Sequence, residues 1–326
     1  MEPTESFMVD VCFPLPVDGP YTYEVPIQLR NQVGFGRRVL APFGKKIRAG
    51  FIVGLNPEVH HDGVIKEILE IPREQPCFDQ PWWDFIKWVS NYYMSSTGLV
   101  LKTAIPVGFE RRSEPWIKFT PEGKAWLENI SLHEGGSVQL KLSKHYSISR
   151  RQLISVIGKK QLDAAMSLGF VTTEEHLAHI RPEKIDNSRV FQDINPKIDH
   201  GGSSGLKLTP DQDRACAIIR ESILNGGFAP YLLFGVTGSG KTEVYLKNIR
   251  ETLRLGKRAL MLVPEIALTP QSAKRIVSKF GHNMSIFHSG ITNAQKIAEW
   301  RKIMRGDTKI VVATRSGIFT PIPNLG

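Results

Sequence analysis

Tyr231-Leu232-Leu233-Phe234-Gly235-Val236-Thr237-Gly238-Ser239-Gly240-Lys241-Thr242 is the stretch that sets the fold of the second half of the chain. A short apolar run reads as a buried parallel strand. It feeds a GxxxxGK[ST] loop, and the spacing then predicts a helix over Glu243 to Leu255, ended by Gly256. Glycines let backbone N–H groups curl around phosphate oxygens at a helix N-terminus, where the helix dipole favours negative charge. Gly235, Val236, Thr237, Gly238, Ser239 and Gly240 form that cradle. Lys241 is expected to reach the β and γ phosphates and the Thr242 hydroxyl to ligate Mg²⁺, the two catalytic positions of this half.

Working outward, Arg258 to Val263 and Lys309 to Ala313 read as further parallel strands, with Thr292 to Arg305 helical between them, giving a βαβ sheet. A carboxylate at the end of a neighbouring strand should complete the metal site. None is evident: Glu265 follows Pro264 after the wrong strand, and the Lys309 strand ends in Thr314-Arg315. Upstream, Leu208-Thr209-Pro210-Asp211-Gln212 opens a helix to Ile223, with Thr209 as N-cap and Pro210 at its first position. Gln212 falls where helicases keep a glutamine that reads adenine.

Charge separates the two halves. Residues 241–326 hold 15 Lys and Arg against 5 Asp and Glu, and account for the whole net charge of +10. Such an excess suits a polyanionic partner, because phosphate neutralisation releases counterions; a solvated basic face is the alternative. In the balanced first half, Val25 to Pro57 carries Arg30, Arg37, Arg38, Lys45, Lys46 and Arg48 with no acid. No run of about 18 apolar residues is present, and Met1 to Phe7 carries Glu2 and Glu5 in place of a leader, so the expectation is a cytoplasmic chain away from membranes. Cys12, Cys77 and Cys216 are too scattered for zinc or a disulfide framework and are expected to be buried thiols.

The amino-terminal segment, with Val9-Asp10-Val11-Cys12-Phe13 and Gly50-Phe51-Ile52-Val53-Gly54, reads as a small β domain. Trp82, Phe85, Ile86, Val89 and Tyr93 then recur at helical spacing, read as a core stripe in preference to a base-stacking surface. Further on, Ser149 caps a helix over Arg150 to Ile157, a second runs from Lys159 to Leu168, and Gly169 to Thr173 reads as a strand, a winged-helix pattern. Residues 138–169 carry six Lys or Arg against Asp163. That suits a DNA-facing helix, and equally a winged helix that contacts only protein. The fold class expected is multidomain α+β and α/β: a β-rich domain over 1–108, a winged-helix domain over 109–180, a polar linker over 181–206 and a parallel-sheet, RecA-like lobe over 207–326.

Taken in order, Leu208 to Gln212, Gly235 to Thr242, Val263-Pro264-Glu265-Ile266-Ala267-Leu268-Thr269-Pro270-Gln271, His288-Ser289-Gly290 and Thr314-Arg315-Ser316-Gly317-Ile318-Phe319 resemble the motifs of the bacterial primosomal protein N′ (PriA) helicases of superfamily 2. Ala41-Pro42-Phe43-Gly44 and the Trp88 to Pro106 stretch resemble that family's DNA-binding domain. The resemblance implies an ATP- and Mg²⁺-dependent 3′→5′ DNA helicase acting at stalled forks, working as a monomer beside single-stranded DNA-binding protein and other primosome proteins. It implies a pocket for a 3′ end at Tyr21, Thr22, Gly44 and Lys66, although the family often has Asp where this chain has Thr22. It places Pro264, Glu265, Thr269, Thr314 and Arg315 on the single-stranded backbone. Family members continue after a Leu-Gly like Leu325-Gly326 into an Asp-Glu-Glu-His motif, a zinc-binding insertion and a second lobe. A chain ending there is expected to bind DNA without unwinding it, and zinc is expected only beyond it. Two other readings are a fork-recognition and protein-docking module with an idle P-loop, and a small-molecule kinase, which the basic lobe disfavours.

Overall fold

The computed structural model describes residues 6–58, 64–110, 116–126, 147–174, 177, 207–264, 280, 284–288 and 290–326. They fall into two compact units, residues 1–103 with 107–181 and residues 182–326 with 104–106. The expected linker lies outside the described residues, as do Glu265 and Thr269.

The first unit opens with β1 (Met8–Cys12), β2 (Tyr21–Glu24), β3 (Arg38–Phe43), β4 (Lys46–Leu55) and β5 (Lys66–Glu67), in the sheet order β3-β4-β1-β2-β5. Neighbours are antiparallel except β5, which runs parallel to β2. Alternation sends Val9, Val11, Tyr23, Val39, Ala41 and Ile52 into one core with Phe13, Val25, Ile68 and Ile71. Burial there pushes the Cys12 thiol up to about 12, and all three cysteines are buried and free. Helix α1 (Gln80–Tyr92) starts where the Asp79 carboxylate accepts from the Trp82 N–H (3.1 Å), and is followed by α2 (Thr97–Ala104).

Only half of the aromatic stripe on α1 is core. Trp82 and Ile86 are buried, Phe85 and Val89 are half-buried, and Tyr93 is 69% exposed. On the outer side Trp88 stacks on Tyr92 at 5.1 Å, and both are exposed. Spacing identifies a helix face, but the width of the apolar stripe that a neighbour covers is a tertiary matter.

The same unit holds β6 (Trp116–Phe119), β7 (Ser147–Ser149), α3 (Arg150–Ser167) and β8 (Val171–Glu174). The antiparallel sheet has the order β7-β6-β8. Ser149 caps α3 by accepting from the Gln152 N–H, and Gly158 (φ 77°, ψ 158°) breaks the helix into 150–157 and 159–167. Leu153, Ile157, Leu162 and Ala165 pack on Ile117, Phe119, Ile148 and Val171.

In the second unit α4 (Pro210–Asn225) carries a reciprocal cap between Thr209 and Gln212. Then come α5 (Lys241–Arg254), β9 (Ala259–Leu262), β10 (Met284–Phe287), α6 (Asn293–Met304) and β11 (Ile310–Ala313). The sheet order is β10-β11-β9 with parallel neighbours. Ile249 and Leu253 of α5 lie against Met261, Met284, Ile286, Ile310 and Val312. The sequence reading missed β10, whose four residues are all buried and therefore lack an alternating pattern.

One expected strand is absent. Tyr231 to Phe234 belongs to no strand, with Leu232 90% and Phe234 94% exposed. A strand needs another edge to pair with. Among the described residues the outer edge of β9 is met only by a single parallel bridge between Arg258 and Leu325. The apolar run has no partner edge among the described residues.

The first unit is pinned by Arg38, whose side chain is 1% exposed. It pairs with Glu74 at 2.8 Å and donates to the Phe109 carbonyl at 3.1 Å. Removing one member of such a pair strands a buried charge. Arg38→Ala is expected to cost about 3–5 kcal/mol in urea unfolding of this unit.

Candidate nucleotide and nucleic-acid sites

The P-loop turns on two residues in the left-handed region, Gly238 (φ 83°) and Gly240 (φ 79°). Gly240 is also the N-cap of α5 and supplies no side-chain acceptor. The first N–H groups of the helix are therefore presented to whatever lies in the loop. Lys241 Nζ donates to the carbonyls of Gly235 (2.5 Å) and Val236 (2.8 Å), so the ammonium lies across the loop, and Thr242 is exposed.

Gln212 joins this site through both ends of its amide. Its Nε2 donates to the Ser239 carbonyl at 2.9 Å, while its Oε1 accepts from the Thr209 N–H at 3.0 Å. A Cβ at Gly240 would overlap Gln212 Nε2, so a side chain there would displace that amide from the loop, while φ itself favours glycine. The reading from sequence brought Gln212 to the nucleotide, and the structure brings it to the loop backbone. Ion pairs Lys247–Asp213 (2.9 Å) and Arg220–Glu251 (3.5 Å) hold α4 beside α5. No group of three or more His, Cys, Asp or Glu side chains is placed to hold a metal among the described residues.

A second set lies at the carboxyl edge of the parallel sheet. Leu262, Ala313 and Phe287 are in register, so the chain leaves all three strands at one edge. There the Val263 N–H donates to Ala313 O (2.9 Å) and the Thr314 N–H to Phe287 O (3.1 Å). Pro264 and Arg315 are exposed, whereas Thr314 is only 5% exposed, so Arg315 is the surface donor of that pair. His288 sits at the same edge, and its Nδ1 accepts from the Gly290 N–H at 3.0 Å. Burial, with help from the Lys296 charge, holds its pKa below the usual histidine value. The neutral ring therefore carries its proton on Nε2.

The third set surrounds the turn between β3 and β4. Tyr21 packs edge-on against Phe43 at 5.1 Å and stays 37% exposed. Lys66 Nζ donates to the carbonyl of Gly44 (3.1 Å), which turns the hairpin at φ 60°. Tyr21, Gly44 and Lys66 thus lie around one turn. Thr22 faces the other side of β2, and its hydroxyl donates to Asp10 Oδ1 at 2.8 Å across the paired strand. Asp10 escaped the sequence reading. The alternation of Val9-Asp10-Val11 could have found it, since it sets Asp10 on the face opposite the core. Gly54 of β4 makes room for this carboxylate, because a Cβ there would stand 3.0 Å from Asp10 Oδ2.

With these three sets in place, comparison with known proteins is informative. Residues 10–106 match the 3′DNA-binding domain (3′BD) family and residues 209–324 the DEAD/DEAH box helicase family, a domain that implies ATP and Mg²⁺ use. Replication restart protein PriA of Haemophilus influenzae is 32% identical over 98% of this chain and 43% of its own length. The chain belongs to the PriA family. PriA of Bacillus subtilis is 27% identical over 95% of the chain and 46% of that protein, and PriA of Synechocystis 29% over 95% and 45%. The chain spans less than half the length of these curated relatives. No helix among the described residues is long and apolar enough to cross a membrane.

The lowered pKa of His288 makes a prediction. The neutral ring is favoured in the folded state, so its stabilisation is present above the unfolded value of about 6.5 and is lost as pH falls below it. In urea unfolding from pH 8 to 5.5, the parent chain is expected to lose more stability on acidification than His288→Gln.

Proposed function

We propose that this chain binds stalled replication forks and that its P-loop lobe belongs to an ATP-driven motor that unwinds DNA 3′→5′ during replication restart. The observation that carries the reading is the β3–β4 turn, where an exposed Tyr21 ring, the Gly44 backbone and the Lys66 ammonium converge. An aromatic face beside a cation suits a terminal base and its phosphate. The Asp10–Thr22 pair, on the opposite face of β2, supplies an acceptor for a hydroxyl or a base edge. Residues 1–108 act as the 3′-end domain, 109–180 as a winged helix, 181–206 as a linker and 207–326 as the first RecA-like lobe. The basic excess of residues 241–326 and the exposed Arg315 suit a phosphate backbone.

For nucleotide, the bent glycine loop, the open N-terminus of α5 and the Lys241 ammonium fit a triphosphate. Lys241 neutralises phosphate oxygens and Thr242 contributes a hydroxyl to Mg²⁺, which screens the charge that builds up during phosphoryl transfer. No cluster of carboxylates gathers beside them among the described residues. We assign residues 1–326 DNA binding with weak nucleotide affinity, and unwinding to a full-length family member, where single-stranded DNA-binding protein and other primosome proteins are the partners. A second reading is a fork-recognition and protein-docking module with an idle P-loop.

The first test is fluorescence anisotropy on forks that differ only in a free 3′ hydroxyl or a 3′ phosphate at the junction. Tighter binding to the free end is expected, and its loss in both Lys66→Ala and Asp10→Asn; equal binding by the parent chain would sink the 3′-end assignment. In a full-length family member carrying this chain, Lys241→Ala is expected to abolish DNA-stimulated ATP hydrolysis while leaving fork affinity within about twofold. If instead the parent protein shows no such hydrolysis, the docking-module reading stands.

A further inference from the structure

We propose that the Asp10–Thr22 pair reads the sugar of a terminal nucleotide and prefers a strand that ends in a ribonucleotide, whose 2′ and 3′ hydroxyls it binds together; this rests on the 3′-end reading above. β2 meets β5 only through Tyr23 and Glu24, so among the described residues no strand lies opposite Tyr21 and Thr22 at the outer edge. A terminal nucleotide placed at that edge has the Tyr21 ring and the Lys66 ammonium on one side of β2 and Thr22 with Asp10 on the other.

The pair offers acceptors and nothing else. Thr22 donates its one hydroxyl proton to Asp10 Oδ1 at 2.8 Å, which leaves the lone pairs of Thr22 Oγ1 and the whole of Asp10 Oδ2. Neither side chain makes another hydrogen bond among the described residues. Gly54 stands opposite Asp10 on β4, and a Cβ there would lie 3.0 Å from Asp10 Oδ2, so the glycine leaves that oxygen uncovered. Two neighbouring acceptors call for two neighbouring donors. A deoxyribose end supplies one, its 3′ hydroxyl, which goes to the charged oxygen of Asp10. A ribose end supplies a second from the adjacent carbon, and Thr22 Oγ1 accepts it. Carboxylates hold ribose hydroxyls in dinucleotide-binding folds, and the 2′ hydroxyl is the group by which proteins tell RNA from DNA.

The charge of this face disfavours a phosphate there. Met8, Asp10, Thr22 and Glu24 share it, because Met8 pairs with Glu24 and Asp10 with Thr22 across β1 and β2. Neither strand contributes a Lys or Arg. Two carboxylates repel phosphate oxygens, while neutral hydroxyl donors are drawn to them. The phosphate that precedes the terminal sugar has its cation, Lys66, on the other side of β2.

The test is fluorescence anisotropy of residues 1–326 on forks that differ only in the last nucleotide of the nascent strand: uridine, deoxyuridine, 2′-O-methyluridine or deoxyuridine 3′-phosphate. Uracil has no exocyclic amine, so the sugar is the variable. The uridine end is expected to bind about fivefold tighter than the deoxyuridine end, the size of one added hydrogen bond. The 2′-O-methyl end, which has lost the donor, should bind no tighter than deoxyuridine. Thr22→Val keeps the branched shape of the side chain and should bring the uridine-to-deoxyuridine ratio close to unity, while Thr22→Ser should retain it. Equal binding of the uridine and deoxyuridine ends by the parent chain, with the phosphate end still weaker, would overturn this proposal and leave the 3′-end reading standing. Equal binding of all four ends would overturn both. A 2′-O-methyl end as tight as uridine, or a ratio unchanged in Thr22→Val, would also overturn it, because the 2′ hydroxyl would then not be the donor to Thr22.

Discussion

The arrangement of the second unit depends on one constraint, the register of a parallel sheet. Leu262, Ala313 and Phe287 sit level, so the residues that follow each strand must leave the sheet at the same edge. That single fact brings Pro264, His288 and Arg315 together from positions scattered over the chain. It also gives α5 its bed, because Ile249 and Leu253 need the flat apolar surface made by Met261, Ile310 and Val312. Once α5 is seated, ion pairs with Asp213 and Arg220 draw α4 alongside, and Gln212 arrives at the P-loop. Open crevices at the carboxyl ends of parallel strands are where α/β folds bind ligands.

The first unit solves a different problem. Its sheet is small, and the two ends of its chemistry lie on opposite faces: Tyr21 and Lys66 toward the β3–β4 turn, Thr22 and Asp10 on the other side of β2. The Thr22–Asp10 pair sets the carboxylate of β1 directly against the hydroxyl of β2. Buried Arg38 and Glu74 hold the sheet while the residues nearest the turn stay accessible.

The helices were largely legible in sequence. Caps at Thr209 and Ser149, the helix start at Thr292 and the stop at Gly256 are written in a few adjacent residues, and the structure starts or ends helices within a residue or two of them. The P-loop was legible for the same reason, since its geometry is dictated by glycines at two positive-φ positions and by the helix that follows. Strands β9 and β11 were found as apolar runs. β10 was not, because a fully buried strand of four residues has no period to detect.

What sequence alone determined about this protein is therefore local: helix starts, the phosphate loop, the charge excess of the last third, and the motif order that points to PriA. What only the tertiary structure decided is who stands beside whom. Tyr231 to Phe234 reads as a strand and is exposed chain, because pairing belongs to two edges and one sequence segment specifies only its own. Thr314 and Arg315 are neighbours in sequence, yet one is buried and the other open. Asp10 and Thr22 lie twelve residues apart and meet at 2.8 Å because antiparallel register puts them opposite each other. Such contacts depend on long-range pairing, and neither residue's local sequence carries that information.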